Sequence, residues 1–283
     1  MSHFPLLYTL LLGIFFSTRC AQVPTLATSQ QPITITRDSL SLTVDPANGG
    51  RLLSLTYAGV EVLSGLRDSL GFQYGSVAWP SPQAEWNWPP PAAFDRDPYT
   101  VREVEEHSII LDSGIDPESG LVLRKRYRLG PASDIGLSYW FTNRSDSIRT
   151  VAAWEVTRVP YAGTFTFRSD TLRIERGNAR TVETRDDRRR IVLDERQANT
   201  TKVFANVASV PITYVNQGIV LEKHTIVTDF DEVAPGQAPL EIYLNPAAGF
   251  AEFELQGAYK RLGFGETSAL RTKWVVRRAG ADD

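Results

Sequence analysis

The sequence reads as all-β, a large supersandwich of two antiparallel sheets, on three observations. Short apolar alternations recur along most of the chain, turn residues punctuate them, and no stretch sustains a helical apolar period. Alternation with a period of two belongs to strands that bury one face, whereas a helix repeats its apolar residues every three to four positions. A single open sheet of so many strands would leave long edges exposed, so two sheets packed face to face are expected.

The first twenty residues stand apart. An apolar run from Leu6 to Phe16, followed by Ser17, Thr18, Arg19 and Cys20, has the form of an export signal,. It is shorter than the roughly 20 apolar residues that span a bilayer. Cys20 is the only cysteine of the 283-residue chain, so no disulfide forms within it and stability must come from the core,. Its place at the signal junction resembles the acylated cysteine of bacterial lipoproteins, which implies a membrane tether, the alternative being a signal that is simply cleaved. An exported protein, periplasmic or anchored to the outer membrane, is the expectation. Residues 21–32 read as a flexible tether and residues 33–283 as one domain.

Within that domain Leu40, Leu42 and Val44 alternate with Ser39, Ser41 and Thr43, and Asn48-Gly49-Gly50 then supplies a tight turn before Leu52 to Tyr57,. Ala58-Gly59 closes a second hairpin into Val60 to Leu63. Comparable strand patterns run from Val122 to Leu129, Ile135 to Phe141, Val151 to Val159, Ile219 to Thr225, Leu240 to Leu244, Phe250 to Gln256 and Trp274 to Arg277. The charged stretch Glu183 to Arg190 reads as a solvated loop.

Thirty Lys and Arg against thirty-three Asp and Glu leave a net charge of −3, and no basic field exists to attract nucleic acid,. Only His107 and His224 follow the leader, neither in a metal-ligand spacing, and no H-E-x-x-H occurs,. No metal and no cofactor are therefore expected. A satisfied structural imidazole is the default for both histidines, and His224 is the one kept among candidate substrate contacts. Asp229, Asp231 and Glu232 cluster in a turn that could hold calcium, although such turns are more often solvated. Nucleotide-binding loops and the serine-hydrolase elbow are absent,.

Three segments could carry chemistry. Trp79-Pro-Ser-Pro-Gln83 and Trp86-Asn-Trp88-Pro-Pro-Pro91 are dense in proline, which removes backbone donors, so a rigid loop rather than a central strand is expected,. Its indoles could stack on the C–H faces of a sugar while Gln83 bonds the hydroxyls, or could simply cover one end of the sandwich. In Trp154-Glu155-Val156-Thr157-Arg158, alternation puts Glu155 and Arg158 on opposite faces, so one of the two points away from any site. An acid in an apolar strand is costly unless paired or facing a cleft. Glu252, Glu254 and Gln256 share one strand face, where repulsion between the two acids would raise a pKa and suit proton transfer.

In their order these segments resemble the galactose mutarotase-like superfamily, and within it a bacterial family of exported proteins with Trp-Pro-Ser-Pro-Gln, Trp-Pro-Pro and Trp-Glu-Val-Thr-Arg segments. The likeness runs from Asn48-Gly-Gly-Arg-Leu-Leu-Ser-Leu through Phe253-Glu-Leu-Gln256 to Trp274. It implies a sugar-binding cleft and, by the Glu-x-Gln setting, Glu254 as the base that takes the anomeric proton. The acid of the mutarotases is a His in the strand after a Thr-Asn-x-Ser turn. Here Thr142-Asn143-Arg144-Ser145 precedes a strand with Glu155 in that region and no His, and a carboxyl group replaces imidazole as an acid only with a raised pKa. The resemblance thus implies carbohydrate binding with aldose 1-epimerase-type chemistry, or a non-catalytic carbohydrate-binding or scaffold lipoprotein. Glu254 and Glu155 are the catalytic candidates, and Trp79, Gln83, Trp86, Trp88, Arg158 and His224 the substrate contacts.

Overall fold

The computed structural model describes residues 31–65, 71–177, 181–194, 196, 199–207, 211–225 and 233–280. The leader, Cys20, most of the tether and the Asp229, Asp231 and Glu232 cluster lie outside the described residues.

The chain begins with β1 (Ile33–Arg37), β2 (Leu40–Asp45), β3 (Arg51–Tyr57), β4 (Val60–Glu61) and β5 (Ser76–Ser81). A one-turn helix, α1 (Ala92–Asp95), precedes β6 (Thr100–Glu105), β7 (Ser108–Asp112), β8 (Leu121–Leu129), β9 (Asp134–Asn143) and β10 (Arg149–Pro160). Then come β11 (Gly163–Arg168), β12 (Leu172–Arg176), β13 (Glu183–Arg185), β14 (Arg188–Leu193), β15 (Thr201–Ala205) and β16 (Ile212–Asn216). The last strands are β17 (Ile219–Thr225), β18 (Leu240–Asn245), β19 (Phe250–Gln256), β20 (Lys260–Leu262) and β21 (Thr267–Arg278). One sheet runs β1-β2-β3-β5-β10-β19-β18-β15-β12, with β4 on β3 and β20 on β10. The other runs β13-β14-β11-β16-β17-β21-β9-β8-β7-β6. No helix among the described residues is long and apolar enough to cross a membrane.

The two sheets close on one apolar core, with Leu42, Leu55, Phe253 and Leu255 from the first meeting Tyr139, Phe165, Leu221 and Trp274 from the second. Phe165 and Phe253 touch across the sandwich with ring centroids 5.4 Å apart. Strands β8 and β9 bury every second residue, as expected where one face is wet,. By contrast β5 is buried throughout and β10 from Val151 to Val159, so something also covers the outer face of the first sheet there.

Two sequence expectations change. Trp79, Pro80 and Ser81 belong to strand β5 and not to a loop. The ladder from β5 to β3 has a single pair, Leu52 with Ser76, so beyond Ser76 only β10 binds β5 and Pro80 breaks no second ladder. The Glu183 to Arg190 stretch is a hairpin, β13 paired with β14, at the edge of the second sheet; its charged side chains are exposed except for Arg189, which is buried. The Asn48-Gly49-Gly50 turn forms as read. Gly49 has φ +71°, and a Cβ there would lie 2.1 Å from the Asp95 carbonyl oxygen, so glycine lets this turn dock on α1,.

Glu155 faces inward, between the sheets. Lys223 Nζ of β17 donates to its Oε1 at 2.8 Å, to Thr157 Oγ1 at 2.6 Å and to the Phe253 carbonyl at 3.0 Å. Thr272 Oγ1 donates to Glu155 Oε2 at 2.9 Å. Burial lowers the Lys223 pKa to about 8 against the pull of Glu155. Breaking a buried pair strands a charge, at a cost of about 3–5 kcal/mol, whereas an apolar pair of similar volume is tolerated. Glu155→Gln or Lys223→Met should therefore lose about 3–5 kcal/mol in urea unfolding, and the double variant Glu155→Leu, Lys223→Met should recover most of it; additive losses would refute the pairing.

Candidate functional site

The strand parity that turns Glu155 inward turns Trp154, Val156 and Arg158 outward. On β19 their partners are Gln256, Glu254 and Glu252, and on β5 Trp79 stands opposite Trp154. Val77, Trp79, Trp154 and Val156 form a small apolar cluster of their own, with Trp86 packed on it. The indole centroid of Trp79 lies 6.1 Å from Trp86, 6.0 Å from Trp88 and 5.5 Å from Trp154. This tryptophan layer is the cover over β5 and β10.

Each indole is held differently. Trp79 Nε1 donates to Asp95 Oδ1 at 3.0 Å, and the same oxygen accepts from the buried Arg51 Nη2 at 2.9 Å. Arg51 Nη1 also donates to the carbonyls of Phe72 at 2.8 Å and Tyr74 at 2.9 Å, tying the layer to the segment before β5. Trp86 Nε1 donates to the Pro80 carbonyl at 2.8 Å. Trp88 alone of the four is open, at 57 % exposure.

Beside the indoles lies a cleft of about 430 Å³, walled by Trp79, Trp88, Trp154 and Gln83 and floored by Lys202, Glu241 and Glu252. Its floor is a charge network built by three adjacent strands. Lys202 of β15 reaches Glu254 Oε1 at 2.7 Å and Oε2 at 2.8 Å, and Glu241 Oε2 at 2.8 Å. Glu241 and Glu254 are register partners on β18 and β19, which brings the two acids to one cation. Trp154 Nε1 donates to Glu254 Oε2 at 2.9 Å. Gln256 Nε2 donates to Glu241 Oε1 at 3.2 Å, as does the Ala238 amide at 3.2 Å.

The network sets the protonation states. Burial raises the Glu241 pKa to about 7, Lys202 pulls it down, and Glu254 pushes it up. Burial also raises the Glu252 pKa, which the ion pair with Arg158 at 2.8 Å opposes. Burial disfavours the Lys202 ammonium, but Glu254 and Glu241 outweigh that and hold its pKa above the usual range. The arrangement thus offers one carboxyl group, Glu241, near half-protonation at neutral pH and in contact with the cleft.

Of the sequence candidates, Trp79, Gln83 and Trp88 line the cleft, and Trp86 supports them from behind. Arg158 does not line this cleft; it is buried beside it, its guanidinium 5.4 Å from the Trp79 ring and 5.8 Å from that of Phe250. Glu254 is fully buried beneath Lys202 and Trp154 and does not line the cleft. Glu155 is on the other side of the sheet, so it cannot act with Glu254 across a bound sugar. His224 is on the face of β17 opposite to Lys223, 3.6 Å from Glu222, on the far side of the sandwich from the cleft. Lys202, Glu241 and Trp154 were not among the sequence candidates; the signal available was a lone charge within each of the strands Thr201–Ala205 and Leu240–Asn245. Among the described residues no three His, Cys, Asp or Glu side chains group as metal ligands.

No protein-family model matches the chain, and no curated protein matches it. Solved structures do. A galactose mutarotase-like protein from Lactobacillus casei superposes with a TM-score of 0.62 at 13% identity, over 87% of this chain and 100% of that one. Galactose 1-epimerase from Lactobacillus acidophilus gives 0.60 at 12% identity, over 88% and 95%. A TPR-domain containing protein from Parabacteroides distasonis gives 0.64 at 15% identity, over 89% of this chain and 48% of that one. The chain has the galactose mutarotase-like fold. At these identities the likeness is one of architecture, and function must be argued from the site.

The Arg51–Asp95 pair anchors Trp79, the indole that the other three surround. Asp95→Ala would leave a fully buried guanidinium without its carboxylate and free the Trp79 N–H. A loss of about 3–5 kcal/mol in denaturant midpoint analysis and a red shift of tryptophan emission are expected; a folded variant with unchanged emission would refute the anchoring.

Proposed function

We propose that this protein binds a saccharide in the cleft on the outer face of its first sheet. The observation that carries the reading is the pairing, within one cleft, of the open Trp88 indole with the Lys202–Glu241 ion pair. An indole face suits the apolar C–H face of a pyranose, and fixed charged groups suit its hydroxyls. The volume of about 430 Å³ falls within the range of small-molecule sites, roughly 300–1,000 Å³,. The galactose mutarotase-like fold supports the same ligand class by analogy.

A second reading, aldose epimerase-type proton transfer, is favoured by one group. Glu241 lines the cleft with a pKa of about 7, where a carboxyl group can donate a proton at neutral pH,. In this reading Glu241 is the donor, while Glu254, with both oxygens on Lys202, fixes the cation that orients it. Burial, helped by the Glu254 carboxylate and opposed by Lys202, keeps Glu241 from ionising early.

Titration of free hexoses, pentoses and uronic acids by calorimetry tests the first reading. Binding by at least one class is expected, and Trp88→Ala should weaken it about tenfold, the loss of roughly 1.4 kcal/mol of stacking. Failure of every sugar to bind would end the proposal. Anomer exchange followed by NMR tests the second. If Glu241 donates, the rate should fall as pH rises through about 7, because the raised pKa keeps the acid form only below that value. Glu241→Gln should abolish that rate, and an unaltered rate would leave binding alone.

A further inference from the structure

Next to the cleft, beyond Trp88, lies a second chamber of about 220 Å³ that shares Gln73, Trp79 and Trp88 with it. Phe72 and Trp88 stand at its rim, 45 % and 57 % exposed, and Pro89 and Pro90 stiffen one side. Arg96, Arg158 and Asp95 supply its charge.

Each of these charges but that of Arg96 has a counter-ion, yet donors are left over. Asp95 is matched by Arg51, to which it is bonded at 2.9 Å. Arg96 donates from Nη1 to the Pro90 carbonyl at 3.1 Å, a neutral acceptor. Arg158 is buried, with Nη2 on Glu252 at 2.8 Å, while its Nε and Nη1 have no hydrogen-bond partner. Buried donors without partners in the chain are unfavourable and call for an outside acceptor, a water, an ion or a ligand group. The main cleft is mixed, with Glu175, Glu241 and Glu252 beside Arg176 and Lys202, whereas the smaller chamber carries guanidinium donors that nothing fills.

We infer that the second chamber is a subsite for an anionic substituent, a carboxylate, sulfate or phosphate group, carried by a saccharide whose ring lies in the main cleft. The inference rests on the saccharide-binding reading and names the class of sugar it would take. The unfilled Nε and Nη1 of buried Arg158, with the half-buried Arg96 beside them, can donate to such a group, and charge interactions grow as the local dielectric falls,. Trp88 lines both chambers, so one indole can contact the ring and border the substituent.

Calorimetry with matched sugars tests it: glucose against glucuronate, glucose 6-sulfate and glucose 6-phosphate, and galactose against galacturonate. At least one anionic member should bind tenfold or more tighter than its neutral parent, and the three glucose derivatives distinguish carboxylate, sulfate and phosphate. Arg96→Gln, at a half-buried position, should reduce the ratio several-fold while neutral binding stays unchanged; Arg158→Gln should reduce the ratio more strongly and alter neutral binding too, because Glu252 in the main cleft loses its partner. Should Arg158→Gln fail to fold, Arg96→Gln decides. Neutral sugars that bind as tightly as their anionic partners, or a charge preference that both variants keep, would overturn this inference and leave saccharide binding standing. Absence of binding by every sugar would overturn both.

Discussion

The bond between Lys223 and Glu155 joins the two sheets at the middle of the core, and the orientation of the site follows from it. A strand has a period of two, so fixing one side chain inward fixes its neighbours outward. With Glu155 and Thr157 committed to Lys223, Trp154, Val156 and Arg158 must stand on the outer face. There the antiparallel register aligns them with Glu252, Glu254 and Gln256 on β19 and with Trp79 on β5. A slip of one residue in β10 would bury Arg158 and Trp154 between the sheets and expose Glu155, an exchange the core could not absorb.

The outer face carries its own charge problem. Glu241, Glu252 and Glu254 meet two cations, Lys202 and Arg158. One carboxylate too many at a poorly hydrated surface is unfavourable, and the network relieves this by holding one acid back from ionising. Glu241 is the acid raised to about 7, chiefly by its burial, with Glu254 adding to the rise and Lys202 opposing it, while burial raises Glu252 as well against its pair with Arg158. The acid that could exchange a proton at neutral pH is therefore set by packing and charge across three strands and not by any one strand.

That is also why the sequence revealed the fold more readily than the site. Alternation in β2, β8, β9 and β19 is local, and the Asn48-Gly49-Gly50 turn is encoded by its own residues. Pro80 misleads, since proline argues against a central strand unless one side lacks a ladder, and this depends on where β3 stops. Parity told that Glu155 and Arg158 point apart but not which points inward; the answer lies with Lys223, in a different sheet. Lys202 and Glu241 look like chance charges in apolar strands. Their meaning comes from the β15-β18-β19 order, which places Lys202 against an acid 52 residues away.

The tryptophan segment divides into support and contact. Trp79 is fixed by Asp95, Trp86 by the Pro80 carbonyl and Trp154 by Glu254, and these bonds leave little rotamer freedom for a ligand to freeze out. Pre-ordering of this kind lowers the cost of binding and favours a wall that recognises shape. Only Trp88 offers a broad open face. Opposite that wall the titratable groups lie along the floor formed by β12, β15, β18 and β19, whereas ring opening of an aldose calls for proton donor and acceptor at separate positions around the sugar. With Glu155 turned into the core, no carboxyl group among the described residues faces Glu241 from the indole side. The geometry consequently serves the holding of a sugar more directly than its epimerisation, and any proton transfer must pass through groups on the floor itself.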